Sequence, residues 1–177
     1  MSTMGFHISG ALPAGFDAVA HGALLRVLNA APVFRTLTDD ELVGVAMKSE
    51  RVTADRKRTL CKLGDGGIFV LGRGRVRVFR PCGDREMTLE YCGAGDVLGE
   101  QAIWDGSVDA EVFALEPTES VRVPLAIVKQ LVGMHGPFTA ALTHVFHTRR
   151  KLAEHRVHAM LSRDVESRVA EFILDVA

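Results

Sequence analysis

The periodicity of apolar and polar positions changes twice along the chain. Residues 23–30 (ALLRVLNA) and 38–50 carry apolar residues at helical spacing. Thr38 stands as the N-cap of the second segment, and Glu41 three residues later completes a capping-box pattern. From about 51 to 123 short alternating or β-branched stretches are cut by turn signals: GDGG at 64–67, GRG at 72–74, PCGD at 81–84 and GAGD at 93–96. A spacing of roughly ten residues between such turns predicts an antiparallel sandwich or barrel. In 72–80 (GRGRVRVFR), alternation places Arg73, Arg75 and Arg77 on one face and Val76 and Val78 on the other. Pro124 then opens a short helix, since proline suits a first helical turn. GMHG ends it, and Pro137 opens a much longer helix to about Ser162.

Along that long helix a seven-residue spacing sets Phe138, Val145, Leu152 and Ala159 in one stripe, followed three residues on by Ala141, Thr148, His155 and Ser162. This pattern predicts a helix pair, with a symmetry-related copy as the partner. The expected dimer interface is Phe138, Ala141, Val145, Thr148, Leu152, His155 and Ala159. Residues 1–22, rich in Gly, Ala and Pro, read as a loose N-terminal arm. The organisation expected is therefore an arm over 1–22, a β-rich unit with flanking helices over 23–132, the long helix over 133–163 and a last helix over 164–177.

Composition narrows the class. Apolar residues make up 47% of the 177 and charged residues 24%, which fits one globular core. Lys and Arg total 21 against 22 Asp and Glu, so no global pull toward nucleic acid or an anionic membrane follows. Three cysteines (Cys61, Cys82, Cys92) do not make a secreted disulfide framework. No run of about 18 apolar residues is present, and no secretory signal opens the chain. A cytoplasmic protein with no membrane partner is expected.

The pre-roll helix TDDELVGVA (38–46), LGD at 63–65, IFVLGRGRVRVF at 68–79 and GAGDVLGE at 93–100 resemble the cyclic-nucleotide-binding β-roll of the Crp/Fnr family of transcription regulators. The long helix after Pro137 is similar to that family's dimerisation helix, and DVESRVAEFIL (164–174) to the hinge before its DNA-binding domain. The resemblance implies an α+β fold: an antiparallel β-roll or jelly-roll sensor followed by the dimerisation helix. It also implies a homodimer, a small-molecule or gas effector, and DNA contacted through a winged helix-turn-helix beyond Ala177. Retention of the hinge pattern suggests the sensor-and-dimer portion of a longer regulator.

For the effector site, the resemblance implies Gly99, Glu100, Gln101, Ser107 and Val108 on the roll, with Ala153 and Glu154 on the long helix. Relatives that bind cyclic AMP neutralise its phosphate with an arginine, whose position here falls near Val108. From Glu86 to Val121 the chain has no Lys, Arg or His, yet it carries many carboxylates. A phosphate placed there would face repulsion and uncompensated desolvation, so cyclic AMP is not the expected effector. Glu100 reads equally as an effector contact and as a cap or ion-pair partner in the sheet–helix corner. Trp104 and Val108 are expected to fill the core.

A haem-based gas or redox sensor is the alternative within the family. Cys61 lies near the position of a thiolate ligand in haem-dependent members, and His144, His147, His155 and His158 form two i, i+3 pairs on the long helix that could ligate haem or a metal. A reactive thiol among the three cysteines is a further reading. A stand-alone sensor acting on a protein partner also fits the pattern. An enzyme is not expected: the segment 51–123 contains no histidine for a metal triad inside a barrel, and no nucleophile-elbow or P-loop signature occurs.

Overall fold

The computed structural model describes residue 17, residues 19–62, 66–105 and 110–162, and residue 173. The hinge expected over 164–177, the roll residues Ser107 and Val108, and the side chain of Ala159 lie outside that description. Helix α1 (Ala20–Ala30) begins three residues before the expected start, and α2 (Asp39–Ala46) follows a single 3-10 turn at Phe34–Thr36. The capping box at α2 is present. Thr38 N–H donates to Glu41 Oε2 at 2.8 Å, and Glu41 N–H donates to Thr38 Oγ1 at 3.4 Å.

Among the described residues, eight strands form two antiparallel four-stranded sheets. One contains β1 (Glu50–Ala54), β8 (Thr118–Pro124), β3 (Gly67–Arg73) and β6 (Val97–Leu98), in that spatial order. The other contains β2 (Thr59–Lys62), β7 (Glu111–Ala114), β4 (Val76–Cys82) and β5 (Arg85–Cys92). A short α3 (Ala102–Asp105) follows β6, and α4 (Leu125–Met134) and α5 (Gly136–Ser162) close the chain. The fold is an α+β antiparallel jelly roll followed by a long helix.

The apolar run at 68–71 has no alternation because both faces of β3 are covered. Ile68 and Val70 join a core shared with α1, α2, α4 and the start of α5, whereas Phe69 and Leu71 point between the sheets with Val76, Val78, Leu98 and Val112. The turn between β3 and β4 requires Gly74, at φ +93°: a Cβ there would meet the Thr118 Cα at 2.8 Å. This turn also corrects the arginine stripe. Arg73 ends β3 and Arg75 sits in the turn, so only Arg77 lies within β4. Its guanidinium stacks over Phe79 at 4.7 Å and pairs with Glu86.

The long helix divides into two parts. Its first turns belong to the protomer's own core: Phe138 and Leu142 are buried, and Phe138 meets Phe34 edge-on at 5.4 Å. His135 starts the helix, its Nδ1 accepting from Phe138 N–H at 3.0 Å while Nε2 faces Glu41 at 3.7 Å. Phe138 is therefore not part of a helix-pair seam. Ala141 and Val145 are half-buried against the same intramolecular core. Thr148, Leu152 and His155 are exposed, and Leu152 and Val157 present 50% and 57% of their surface.

Candidate functional site

The turn Gly93–Asp96 is closed by Asp96 Oδ2, which accepts from Gly93 N–H at 2.8 Å. Gly99, at φ +80°, then reverses the backbone after β6 and delivers Glu100 to the interior. Glu100 is fully buried, and one of its oxygens, Oε1, is bonded by Nη1 of Arg149 from α5. The same guanidinium donates from Nη2 to the Val97 carbonyl at 2.5 Å and lies with Nε 3.1 Å from Glu90 Oε2 on β5. Arg149 is thus a three-way tie between α5, β5 and the β6–α3 corner. Arg156, two turns further along, donates to the Leu89 carbonyl.

The electrostatics of this cluster follow from burial. Burial works against the Arg149 charge, but Glu100 and Glu90 outweigh it and hold the guanidinium above its ordinary pKa. Burial pushes the Glu90 carboxyl up, with Arg149 opposing and Glu100 adding to the rise. Cys92, buried and beside Glu90, has its thiol pushed up as well, first by burial and then by that carboxylate. It is therefore a protonated packing group and no nucleophile. Among the described residues, Glu100 Oε2 and Gln101 Oε1 are buried acceptors with no hydrogen-bond partner.

Beside the tie lies a cavity of about 530 Å³ between β5, the 95–97 turn and α5. Glu90, Asp96 and Arg149 supply its charge; Val33, Val97 and Leu152 are among its apolar walls. Its volume falls in the range of small-molecule sites.

The positions expected from sequence sort unevenly on this frame. Glu100 is buried at the centre and Gly99 shapes its approach, while Gln101 is half-buried next to it. Ala153 and Glu154 are exposed, and Glu154 pairs with Arg150 on its own helix. The helix meets the roll one turn earlier, through Arg149. Trp104 does not fill the core: it is 59% exposed and meets Phe146 of α5 edge-on at 4.9 Å.

The haem and metal candidates are not gathered around one cavity. His144 lines the cavity, but Cys61 lies on β2, at the edge of its sheet opposite β5. His147, His155 and His158 are exposed on α5. Among the described residues no group of three or more His, Cys, Asp or Glu is placed to hold a metal. The residues present do not fit a Cys61–histidine haem.

No expectation from the sequence pointed to Arg149, or to Glu90 as its partner, while Cys92, a candidate reactive thiol by sequence, is a buried packing group. The signal for Arg149 was indirect, namely a long cation-free acidic stretch whose buried carboxylates need a counter-charge from elsewhere.

Comparison with known proteins agrees with this architecture. Residues 51–135 match the family model of the cyclic nucleotide-binding domain. No curated protein matches the chain. Among solved structures, a CooA variant from Carboxydothermus hydrogenoformans is 23% identical, with 80% of this chain and 93% of that chain covered and a TM-score of 0.59. The sensor domain of the transcriptional regulator DNR from Pseudomonas aeruginosa is 19% identical over 71% of this chain and 91% of that one, with a TM-score of 0.61. A regulator from Eubacterium rectale described as of the Crp/Fnr family is 16% identical, covering 82% and 70%, with a TM-score of 0.70. At these identities the structures share the fold.

Proposed function

From a chain that carries a cyclic nucleotide-binding domain and whose structural neighbours are Crp/Fnr-family transcription regulators, we propose the effector-sensing and dimerisation portion of such a regulator, acting on DNA through a domain beyond Ala177. The carrying observation is the Arg149 tie. It joins the buried Glu100 and the Val97 carbonyl of the roll to a helix whose later turns expose Leu152 and Val157.

An effector that prefers one arrangement of this tie shifts the helix and, with it, the spacing of the DNA-binding units. Coupling of this kind requires the effector to discriminate between two arrangements by its own contacts. The second copy of the chain pairs along Thr148, Leu152 and His155, where apolar and polar exposed positions share the helix. Cyclic AMP is not the effector of this reading, since the sequence from Glu86 to Val121 carries no Lys, Arg or His to neutralise a phosphate.

Sedimentation velocity at micromolar concentration tests the proposal: a species of twice the chain mass is expected, weakened by Leu152→Glu. A monomer at that concentration overturns it.

A further inference from the structure

The charge along the exposed turns of α5 is one-sided. Between His144 and His158 the sequence holds Arg149, Arg150, Lys151, Arg156 and four histidines against one carboxylate, Glu154. That carboxylate is paired with Arg150 of its own helix. The roll carboxylates near α5 are also committed: Glu90 and Glu100 hold Arg149, Asp96 closes its own turn and Glu86 pairs with Arg77. Arg156 reaches back to the Leu89 carbonyl, which carries no charge to offset it. In the seven-residue stripe His155 falls in the seam itself, three residues after Leu152, and Lys151, Arg156 and His158 border it. Of these four, Lys151, His155 and His158 are exposed and Arg156 is half-buried. His144 shares the cavity with Glu90 and Asp96, which offset its charge, and His147 lies outside the stripe. Borders of mixed sign hold a helix pair together, whereas these borders are cationic on both sides of the seam.

Resting on the sensor reading above, we propose that the helix pair is gated by protonation: a second copy of the chain docks on α5 while His155 and His158 are neutral and leaves when they are charged. A two-fold axis along the helices sends both C-terminal ends toward DNA-binding units on one side, and it sets each His155 against the same residue of the second copy. Histidine changes its charge between pH 5 and 8. Two neutral imidazoles share a hydrogen bond across the axis, one N–H donating to the bare nitrogen of the other ring. Two imidazolium rings offer only donors and place like charges in a seam already bordered by Lys151 and Arg156. Protonating His155 and His158 doubles the positive charge each copy brings there, from two to four. The charged form is opposed more strongly in the pair than in the separate chain, so pairing releases protons and tightens as pH rises.

Sedimentation velocity of the intact chain over a concentration series tests this at about pH 8 and about pH 5.5, toward the two ends of the range over which histidine titrates. The dissociation constant of the dimer is expected to rise about tenfold or more at the lower pH. His155→Gln combined with His158→Gln keeps hydrogen-bonding side chains that cannot be charged, and this variant is expected to pair equally at both values. Lys151→Glu sets a carboxylate against Arg156 of the second copy, so it is expected to tighten the dimer and flatten its pH dependence. A dimer of equal strength at both values, a tighter dimer at the lower pH, or a pH dependence that survives in the double histidine variant would each overturn the assignment. A pH-independent dimer leaves the sensor-and-dimer reading standing, whereas a monomer at both values overturns that reading and this inference together.

Discussion

Replacing Arg149 by methionine keeps much of the side chain's apolar stem and deletes its charge. In the native chain the guanidinium's partners are a fully buried carboxylate, a second carboxylate at 3.1 Å and a carbonyl at 2.5 Å. Its removal leaves Glu100 buried with neither oxygen bonded to a cation. Breaking a buried ion pair by deleting one partner costs about 3–5 kcal/mol, a large share of the roughly 5–15 kcal/mol that holds a domain together. Glu100→Gln alone is expected to cost less, about 1–3 kcal/mol, because Arg149 retains Glu90 and the Val97 carbonyl. In the double variant the buried charge is gone along with its counter-charge. The two losses then fall short of their sum by about 1.5–3 kcal/mol. Urea denaturation at one fixed protein concentration measures this, since a dimer's stability depends on concentration. The single tryptophan, Trp104, is a suitable probe because it lies against Phe146 of α5. A cost below about 1 kcal/mol for Arg149→Met, or strict additivity in the double variant, would refute the buried-tie reasoning.

Phe138→Ala empties a fully buried site against Phe34 and is expected to destabilise the protomer by about 3–5 kcal/mol in the same urea assay; a change seen only in dimer affinity would restore Phe138 to the helix seam. With Ellman's reagent, the exposed Cys82 reacts first, the half-buried Cys61 later and the buried Cys92 only on unfolding; early reaction of Cys92 would contradict the protonated thiol described above. Glu90 faces Arg149, Glu100, Cys92 and Asp96, and its carboxyl is raised above the ordinary value by burial first. A raised folded-state pKa favours the folded chain below the unfolded value, and that advantage is lost as pH rises through the folded value. Glu90→Gln, which cannot ionise, therefore gains stability relative to the native chain as pH rises above the ordinary carboxylate range. A gain confined to lower pH would reverse the sign of the argument.

Much of the roll was legible because its signals are local. The Thr38–Glu41 box, the glycines at the turns and the unbroken apolar run at 68–71 each depend on residues a few positions apart. The long helix was legible as a helix but not as to what it packs on. A seven-residue stripe looks the same whether it meets a partner helix or the protomer's own core, and the first turns, through Phe138 and Leu142, meet the latter. Trp104 failed for a related reason: size and apolarity favour burial, but a four-residue helix at the edge of the roll leaves one face open. Arg149 was hidden because its partners lie 49 and 59 positions away, at Glu100 and Glu90, and no periodicity of its own helix points to them.

The central claim is that the Arg149 tie couples the roll corner to the long helix, so that the two loosen together. Amide hydrogen exchange on the native chain and on Glu100→Gln tests it most directly, because local opening is read segment by segment. Peptides spanning 95–104 and peptides spanning 141–156 are predicted to lose protection in parallel, with β1 and β8 unchanged. Loss of protection confined to 95–104, with α5 as protected as before, would contradict the account.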